Sequence, residues 1–581
     1  MKSDRPDLTS KLNPRLFLSE PAPALFGSDS REELTGRWII FFITFCLALA
    51  ALLFLRRPDA LLNPQFWAED GNLFFAEQFY GQAWLFEPYA GYLTLIPRLV
   101  AKFADLFPVA LAPLLYNLAA LVLASGCCAW FALPCFRHLV RDDKLRILAC
   151  LMIALMPAVG TILLNLSNIQ WYLPLWCGLV CLMPFPRGKT RWALLLVYLL
   201  FLFSSPLTFI FLPIWLLRAG FVRADRKASL TMVAVHGIYA ILIKHWVSAS
   251  ARTYRAFHPL AAAINAAKLV LTRVGIMGLL GPKFFAHSFS HQRYFLISMG
   301  VGCLIFAGAI LWQARGQKRF LIQTGLFAYL VFSSVALFTL VRTGNPPEDL
   351  YFTGGGARYF FFGTALFYLW LLMALDRLRS DLWVRAGIIG LIVWLGFSVK
   401  QHFSFVQTFQ DLQWPRWAEG FEQARLSHAR FPLDVPINPR PWVVPGSGQL
   451  PPDTASIPLP PEPTSSTGVV QQGRAWQSLA PHALLHYRLP APKYLYALRL
   501  RYALSGPGPE PCAAQLAWRS RPEQAFRHDA GIQLLEATEG ETSRMIWLAD
   551  TAGELQIEFS RADCKLELDE ITLLASPHPV P

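Results

Sequence analysis

Charge is thin in this chain: 15% of the residues are Asp, Glu, Lys or Arg, 54% are hydrophobic, and mean hydropathy is +0.38. Soluble domains carry roughly a quarter charged residues, so most of these 581 residues are not ordinary soluble sequence. Also missing are a Walker loop, a Rossmann fingerprint, a His-Glu-x-x-His motif, a serine-nucleophile motif and any cysteine spacing that resembles a zinc site. Nothing here would hold a nucleotide or a structural zinc, and any energy source must arrive with the substrate. Internal repeats are not evident, and ionisable groups inside the apolar runs are few; both are features of transporters. Residues 1–36 are polar and interrupted by proline, without the pattern of a cleavable signal peptide, so 36–55 is expected to act as an uncleaved first span.

What the chain does have is apolar runs. Those at 38–55, 294–312 and 320–340 are long enough for a hydrocarbon core of about 30 Å. The pattern predicts spans near 37–55, 109–133, 146–164, 170–185, 191–204, 206–218, 228–246, 293–313, 319–341, 358–375 and 383–400. That is an α-helical polytopic membrane protein with about eleven spans. Eight of the ten cysteines (Cys46, Cys127, Cys128, Cys135, Cys150, Cys177, Cys181 and Cys303) lie in or beside these runs as small packing residues.

The net charge of +14 is unevenly spread. Residues 401–581 hold 15 Lys and Arg against 19 Asp and Glu, which leaves 37 against 19 for residues 1–400. Such a balance can mark a nucleic-acid binder, but these cations sit in short loops between spans and report topology instead. With the N-terminus inside, Arg137/Arg141/Lys144/Arg146, Arg187/Lys189/Arg191, Arg218/Arg223/Arg226/Lys227, Arg315/Lys318/Arg319 and Arg377/Arg379/Arg385 all fall on the inner side. Arg56-Arg57 runs against the pattern. Residues 92–107 are apolar enough for a twelfth span but contain Arg98, Lys102 and Asp105, so they are expected to lie along the outer interface or re-enter it. The expected location is the cell (inner) membrane, with the N-terminus cytoplasmic and the tail periplasmic or extracellular.

The resulting division is a cytoplasmic segment 1–36, a transmembrane domain 37–400, an interfacial helix and proline-rich linker 401–468, and an outward β-domain 469–581. Short alternating strands are expected at 483–489, 495–502, 514–518, 545–548, 555–559 and 566–573, which favours a small all-β sandwich. Cys512 and Cys564 are the only cysteines of that module. In an oxidising compartment they could form a disulfide; two separate buried thiols are the alternative.

Candidate chemistry gathers in the outer segments. Glu69 and Asp70, in Trp67-Ala68-Glu69-Asp70-Gly71, follow the first span. Carboxylates are costly near hydrocarbon, and an acidic pair at a membrane edge suggests a general base. Neighbouring side chains point apart, so one acid can face a substrate while the other orients it; a solvated loop is the bland alternative. Basic residues on the outer side, among them Arg252, Arg255, Lys268, Arg273, Lys283 and Arg293, suggest an anionic partner or simple lipid-headgroup contact. Arg358 closely follows Gly354-Gly355-Gly356, where backbone amides could approach a phosphate. Asn165, Asn168, Gln170 and Trp171 between two spans suit sugar hydroxyls and a sugar ring, or equally helix capping and an interfacial tryptophan.

In combination these features resemble the GT-C class of membrane glycosyltransferases: an acidic pair in the first large outer loop, an aromatic helix-rich loop after it, and about a dozen spans. Gly91-Tyr92 through Pro97-Arg98, Asn168-Ile169-Gln170-Trp171 and Arg358-Tyr359 are similar to bacterial members of that class. The likeness covers roughly residues 37–400 and leaves the β-module outside. It implies transfer of a hexose or pentose from a polyprenyl-phosphate donor to a glycan or lipid acceptor on the non-cytoplasmic face, with inversion. Asp70 would be the base with Glu69 in support, or the reverse. Arg358, Arg255 and Arg293 would bind the donor phosphate, and Trp67, Tyr92, Asn168, Gln170 and Trp171 the substrate. No cofactor, metal or nucleic acid is implied; the partners are the lipid-linked sugar, the acceptor and membrane lipids. A flippase or transporter of lipid-linked glycans, a polysaccharide polymerase or ligase, and a non-catalytic scaffold are the competing readings.

Overall fold

The structure, a computed structural model, describes residues 21–27, 36–157, 162–249, 259–281, 285, 293–341, 356–378, 382–403, 410–507, 512–521, 526, 533–536 and 542–578. The chain folds as two compact units. One comprises Met1–Asp70, Ala83–Ala104 and Pro113–Phe409; the other comprises Gly71–Gln82, Asp105–Ala112 and Gln410–Pro581.

Among the described residues, six helices are long and apolar enough to cross a membrane: Gly36–Arg56, Val109–Ala132, Arg223–Trp246, Ala263–Leu280, Lys318–Leu337 and Ala357–Arg377. Every segment expected as a span contains helix, but several helices are short. Asp143–Ala154, Leu173–Leu182, Lys189–Leu202 and Leu212–Phe221 have 12, 10, 14 and 10 residues. At 1.5 Å per residue these rise only about 15–21 Å, less than a bilayer core. Residues 259–280 were expected in an outer loop. They instead form Pro259–Leu269, a π-helical stretch Val270–Ile276 and Met277–Leu280. Lys268 and Arg273 hide this helix in the sequence. Arg273 is buried, its guanidinium 4.6 Å from the Phe360 ring centre. The ambiguous stretch at 92–107 yields a helix of ten residues, Leu95–Ala104, half the length a crossing needs.

Within the helical unit the basic loops meet one another. Gln323 Nε2 donates to the carbonyls of Ala24 and His138, and Arg377 Nη2 donates to His138 O at 2.7 Å. The Arg141 amide donates to Asp376. Arg218 donates to the carbonyls of Cys181 and Met183, pairs with Asp225 at 2.6 Å, and lies over the Phe26 ring. The opposite helix ends form a second set. Arg56, buried in spite of its charge, donates to Ala154 O at 2.5 Å, Met156 O at 3.0 Å and Phe403 O at 3.1 Å. Arg57 donates to Leu163 O at 2.6 Å. Of the pair that defied the charge pattern, Arg56 thus caps the carbonyl end of the helix Asp143–Ala154, and Arg57 holds the Leu163 carbonyl in the turn beyond it. His236 is fully buried against Tyr198 and the Met232 carbonyl.

Among the described residues the C-terminal unit is built on a curled antiparallel sheet of nine strands, with a separate two-stranded pair beside it, where two facing sheets were expected. Two pairs of expected strands are continuous: Leu484–Ser505 spans 22 residues and Thr542–Phe559 spans 18. Pro490 and Pro492 read as a break between strands, yet they fall where the pairing slips between Ala552 and Glu554. A bulge needs no ladder donor there, so proline is tolerated and the strand bends. The proline-rich stretch 432–463 contributes Val435–Pro436, Val443–Val444 and Ala455–Leu459, the last paired with Lys565–Ala575. Cys512 and Cys564 form a disulfide.

The helix Trp414–Leu426 belongs to this unit and has two working faces. One docks on the sheet through Arg416–Asp550 at 3.2 Å, Glu419–Thr551 and Gln423–Ser576. Gly420 lies under the Tyr494 hydroxyl, where a Cβ would collide. The other face puts Trp414 and Phe421 against Phe75 and Phe79, with ring centres 5.0–5.4 Å apart. Asn72 Nδ2 donates to Val443 O and Tyr80 OH to Pro445 O. The sequence just after Asp70 is therefore built into the C-terminal unit.

Candidate functional site

Three segments of the helical unit converge on the acidic pair, and each turns through a non-glycine residue in left-handed backbone: Ala68 at φ +44°, Ala90 at +53° and Leu164 at +52°. Such residues cost on the order of 1–3 kcal/mol and cluster at functional sites. The turn at Ala68 separates the two acids. Asp70 is 1% exposed and accepts the amides of Leu166 at 3.0 Å and Ser167 at 2.6 Å, one on each carboxylate oxygen. Glu69 is half-buried, and the Tyr89 hydroxyl lies 3.5 Å from its Oε1 as donor.

Burial pushes the Asp70 carboxyl up to about 7; the Leu166 and Ser167 amides oppose this, and the Glu69 charge adds to it. Burial also pulls the Arg57 guanidinium down to about 9, against Asp59 and Asp70, which favour its charged form. Arg57 lies over the Trp67 ring at 4.9 Å, so Trp67 serves as a wall beside the pair.

The turn after Leu164 is knitted by its own amides. Asn165 Oδ1 accepts from the Asn168 backbone at 3.2 Å and from Asn168 Nδ2 at 2.7 Å, and Asn168 Oδ1 accepts from Trp171 Nε1 at 3.2 Å. Gln170 Nε2 donates to Ser167 O at 3.1 Å. Gln170 Oε1 accepts from Tyr92 OH at 2.8 Å. Tyr92 belongs to a two-strand hairpin, Pro88–Tyr89 with Tyr92–Leu93, whose turn residues Ala90 and Gly91 both have positive φ, the geometry of a type I′ turn. Burial keeps the Tyr92 hydroxyl well above its ordinary range, and nearby Glu69, Tyr89 and Tyr359 reinforce that.

Trp171 meets Tyr359 edge to face, with ring centres 4.9 Å apart. Arg358 is half-exposed, donates to Tyr359 OH at 3.1 Å and lies over that ring at 5.0 Å. Gly356, at φ +72°, starts the turn that presents it. Trp67, Glu69, Asp70, Tyr92, Asn168, Gln170, Trp171 and Arg358 therefore share one continuous set of contacts. Arg252, Arg255, Lys283, Gly354 and Gly355 lie outside the described residues; Arg293 opens the helix Arg293–Gln313, and its side chain also lies outside them. Sequence reasoning passed over Tyr89 and the Leu166 and Ser167 amides, and it named Tyr359 without giving it a role. The Ala90-Gly91 pair was the available signal for the hairpin, and the misplaced Arg56-Arg57 was the signal for the buried cations.

Among the described residues no cluster of His, Cys, Asp or Glu is arranged to hold a metal ion. What the arrangement offers is a half-buried carboxylate with a phenolic donor, a buried carboxylate fixing the neighbouring turn, aromatic faces, and a guanidinium accessible to an anion. No protein-family model matches the chain, and no curated protein or solved structure does so either.

Proposed function

We propose that the protein is a GT-C-like membrane glycosyltransferase. It moves a sugar from a polyprenyl-phosphate donor to a glycan or lipid acceptor on the non-cytoplasmic face, with inversion. The observation that carries this reading is the acidic pair split between two tasks within a cluster of amides, aromatic rings and Arg358. The geometry favours the order in which Glu69 is the base. Both Asp70 oxygens already accept amide hydrogens and its side chain is buried, whereas Glu69 is reachable.

In the reaction the acceptor hydroxyl gives its proton to Glu69 as its oxygen bonds to the anomeric carbon. The bond from that carbon to the phosphate oxygen breaks, and the electron pair leaves with the lipid phosphate. Arg358 stabilises that charge, and Trp171 with Tyr359 flanks the sugar. In this reading the N-terminus and the basic loops are cytoplasmic, which those loops meeting at common helix ends and the shortness of Leu95–Ala104 support. The C-terminal unit then faces the periplasm or exterior, where its disulfide is at home.

The test is mass spectrometry of surface glycans and lipid-linked sugars from a deletion strain, complemented with the parent, Glu69→Gln or Asp70→Asn. Loss of one sugar substituent, with its lipid-phosphate donor accumulating, is expected for the deletion and for Glu69→Gln. An undecorated glycan trapped on the inner face would favour a flippase, and full decoration by both variants would refute catalysis by this loop.

A further inference from the structure

We infer that Tyr89 is a positioning residue for Glu69, and that the Tyr89–Tyr92 hairpin braces both members of the acidic pair so that Glu69 faces a carbohydrate hydroxyl. The inference rests on the transfer reading above. The two hydroxyls of the hairpin end on opposite branches of the site. Tyr89 OH meets Glu69 Oε1 directly, at a long 3.5 Å. Tyr92 OH holds Gln170 Oε1 at 2.8 Å, Gln170 Nε2 holds Ser167 O at 3.1 Å, and the Ser167 amide holds Asp70 Oδ1 at 2.6 Å.

The hairpin itself is anchored from outside the site. The Leu93 amide donates to Tyr239 OH at 3.0 Å, and the Leu95 and Ile96 amides donate to Phe203 O and Ser204 Oγ at 3.1 and 2.8 Å. A type I′ turn leaves little freedom between its two strands, so the tyrosines move as one body.

The chemical consequence concerns which carboxylate oxygen is free. With Oε1 engaged by Tyr89, Oε2 of Glu69 receives the acceptor proton. Tyr89 keeps its own proton throughout and transfers nothing. Catalytic hydrogen bonds are often long in an empty site and tighten when substrate excludes water, so a bond of 3.5 Å suits a contact that shortens on closure.

The experiment uses the full chain, purified, with the lipid-linked sugar that accumulates in the deletion strain as donor. Tyr89→Phe is expected to lower kcat about tenfold, the worth of one hydrogen bond to a charged group, with KM for the donor unchanged. In the Glu69→Gln background the same change should add nothing, because a residue acting through Glu69 is silent once Glu69 is gone. Parent kcat in Tyr89→Phe, or a loss that multiplies onto Glu69→Gln, would overturn the inference while leaving the transfer reading intact. Parent-rate transfer by Glu69→Gln would instead sink the transfer reading. A readout free of activity accompanies it: the fluorine resonance of 3-fluorotyrosine at position 89 should move with Glu69→Gln, and that at position 92 should move with Gln170→Ala, which removes its hydrogen-bond partner. A position-89 resonance indifferent to Glu69→Gln would also overturn the inference.

Discussion

Each unit of the molecule buries carboxylates, and two of them, Glu554 and Asp70, are treated oppositely. In the C-terminal unit Glu554 is 4% exposed and is met by Arg519 Nε at 2.5 Å, His486 Nε2 at 3.3 Å and Arg488 Nε at 3.7 Å. Burial tends to raise its carboxyl, but Arg519 and His486 prevail and hold it below the ordinary range. In the helical unit Asp70 is held by amide dipoles, and burial prevails, lifting it to about 7. A carboxylate paired with full charges is a structural pin. One left near neutrality beside a reachable partner is the arrangement that active sites favour.

The sharpest way to break this contrast is to remove one negative charge from each unit. Glu69→Gln should cost about 10²–10⁴ in transfer rate while leaving thermal unfolding of the purified chain where it was. Glu554→Gln should do the opposite: it strands the mostly buried Arg519 at a cost of about 1–3 kcal/mol, while the exposed Arg488 turns to solvent. Hydrogen exchange should then rise across Ala513–Arg519 and Thr542–Phe559 with transfer retained. If Glu69→Gln unfolds the protein and transfers normally when rescued, the two regions do not differ in kind.

What the sequence revealed follows the same division. Long apolar runs and the acidic pair were visible because hydropathy and charge are local properties. The division of labour between Glu69 and Asp70 was not, because the amides that hold Asp70 lie 96 and 97 residues away. Nor was the capping role of Arg56, whose partners Ala154 and Met156 are as distant. In the tail, 483–489 and 495–502 were expected as two strands because a slip in the pairing register leaves no trace in one strand alone. The proline-rich stretch likewise looked like a linker because its partner strand, Lys565–Ala575, comes more than a hundred residues later.

The aromatic cluster of the C-terminal unit tests whether that region is as self-contained as its core suggests. Phe421 is fully buried, with ring centres 5.3 Å from Phe75, 5.0 Å from Phe79 and 4.7 Å from Phe431. Phe421→Ala should cost about 3–5 kcal/mol. Faster hydrogen exchange in Gly71–Gln82 as well as Trp414–Leu426 is expected; loosening of the helix alone would show that the loop after Asp70 does not depend on it.

A smaller effect sharpens the Asp70 half of the comparison through pH. Its folded carboxyl titrates near 7 against an ordinary value of 3.8, so between those values the folded state holds more protons than the unfolded. Stability attributable to this group is therefore greatest below about pH 4, falls as pH rises to about 7, and is level above; the drop is on the order of a few kcal/mol. Asp70→Asn has no such dependence but misplaces one donor against an amide. The variant should melt well below the parent at pH 5, with the gap narrowing by pH 8. A constant gap would mean that Asp70 titrates as an ordinary carboxyl.

The smallest effect belongs to Arg358, where the question is geometry and not charge. Arg358→Lys keeps the cation but loses the planar fork, the hydrogen bond to Tyr359 OH and most of the stacking on its ring. One lost donor pair to a phosphate is worth about a factor of ten at most. Binding of the lipid-linked donor should weaken by that much, while the rate at saturation and the melting temperature stay unchanged, since the side chain is half-exposed. Arg273, buried against Phe360 in the same unit, supplies the contrast: Arg273→Lys should lower stability before it touches donor affinity. Equal donor binding in Arg358→Lys and the parent would remove Arg358 from the phosphate site, leaving the acidic pair and its hairpin as the part of the proposal that stands alone.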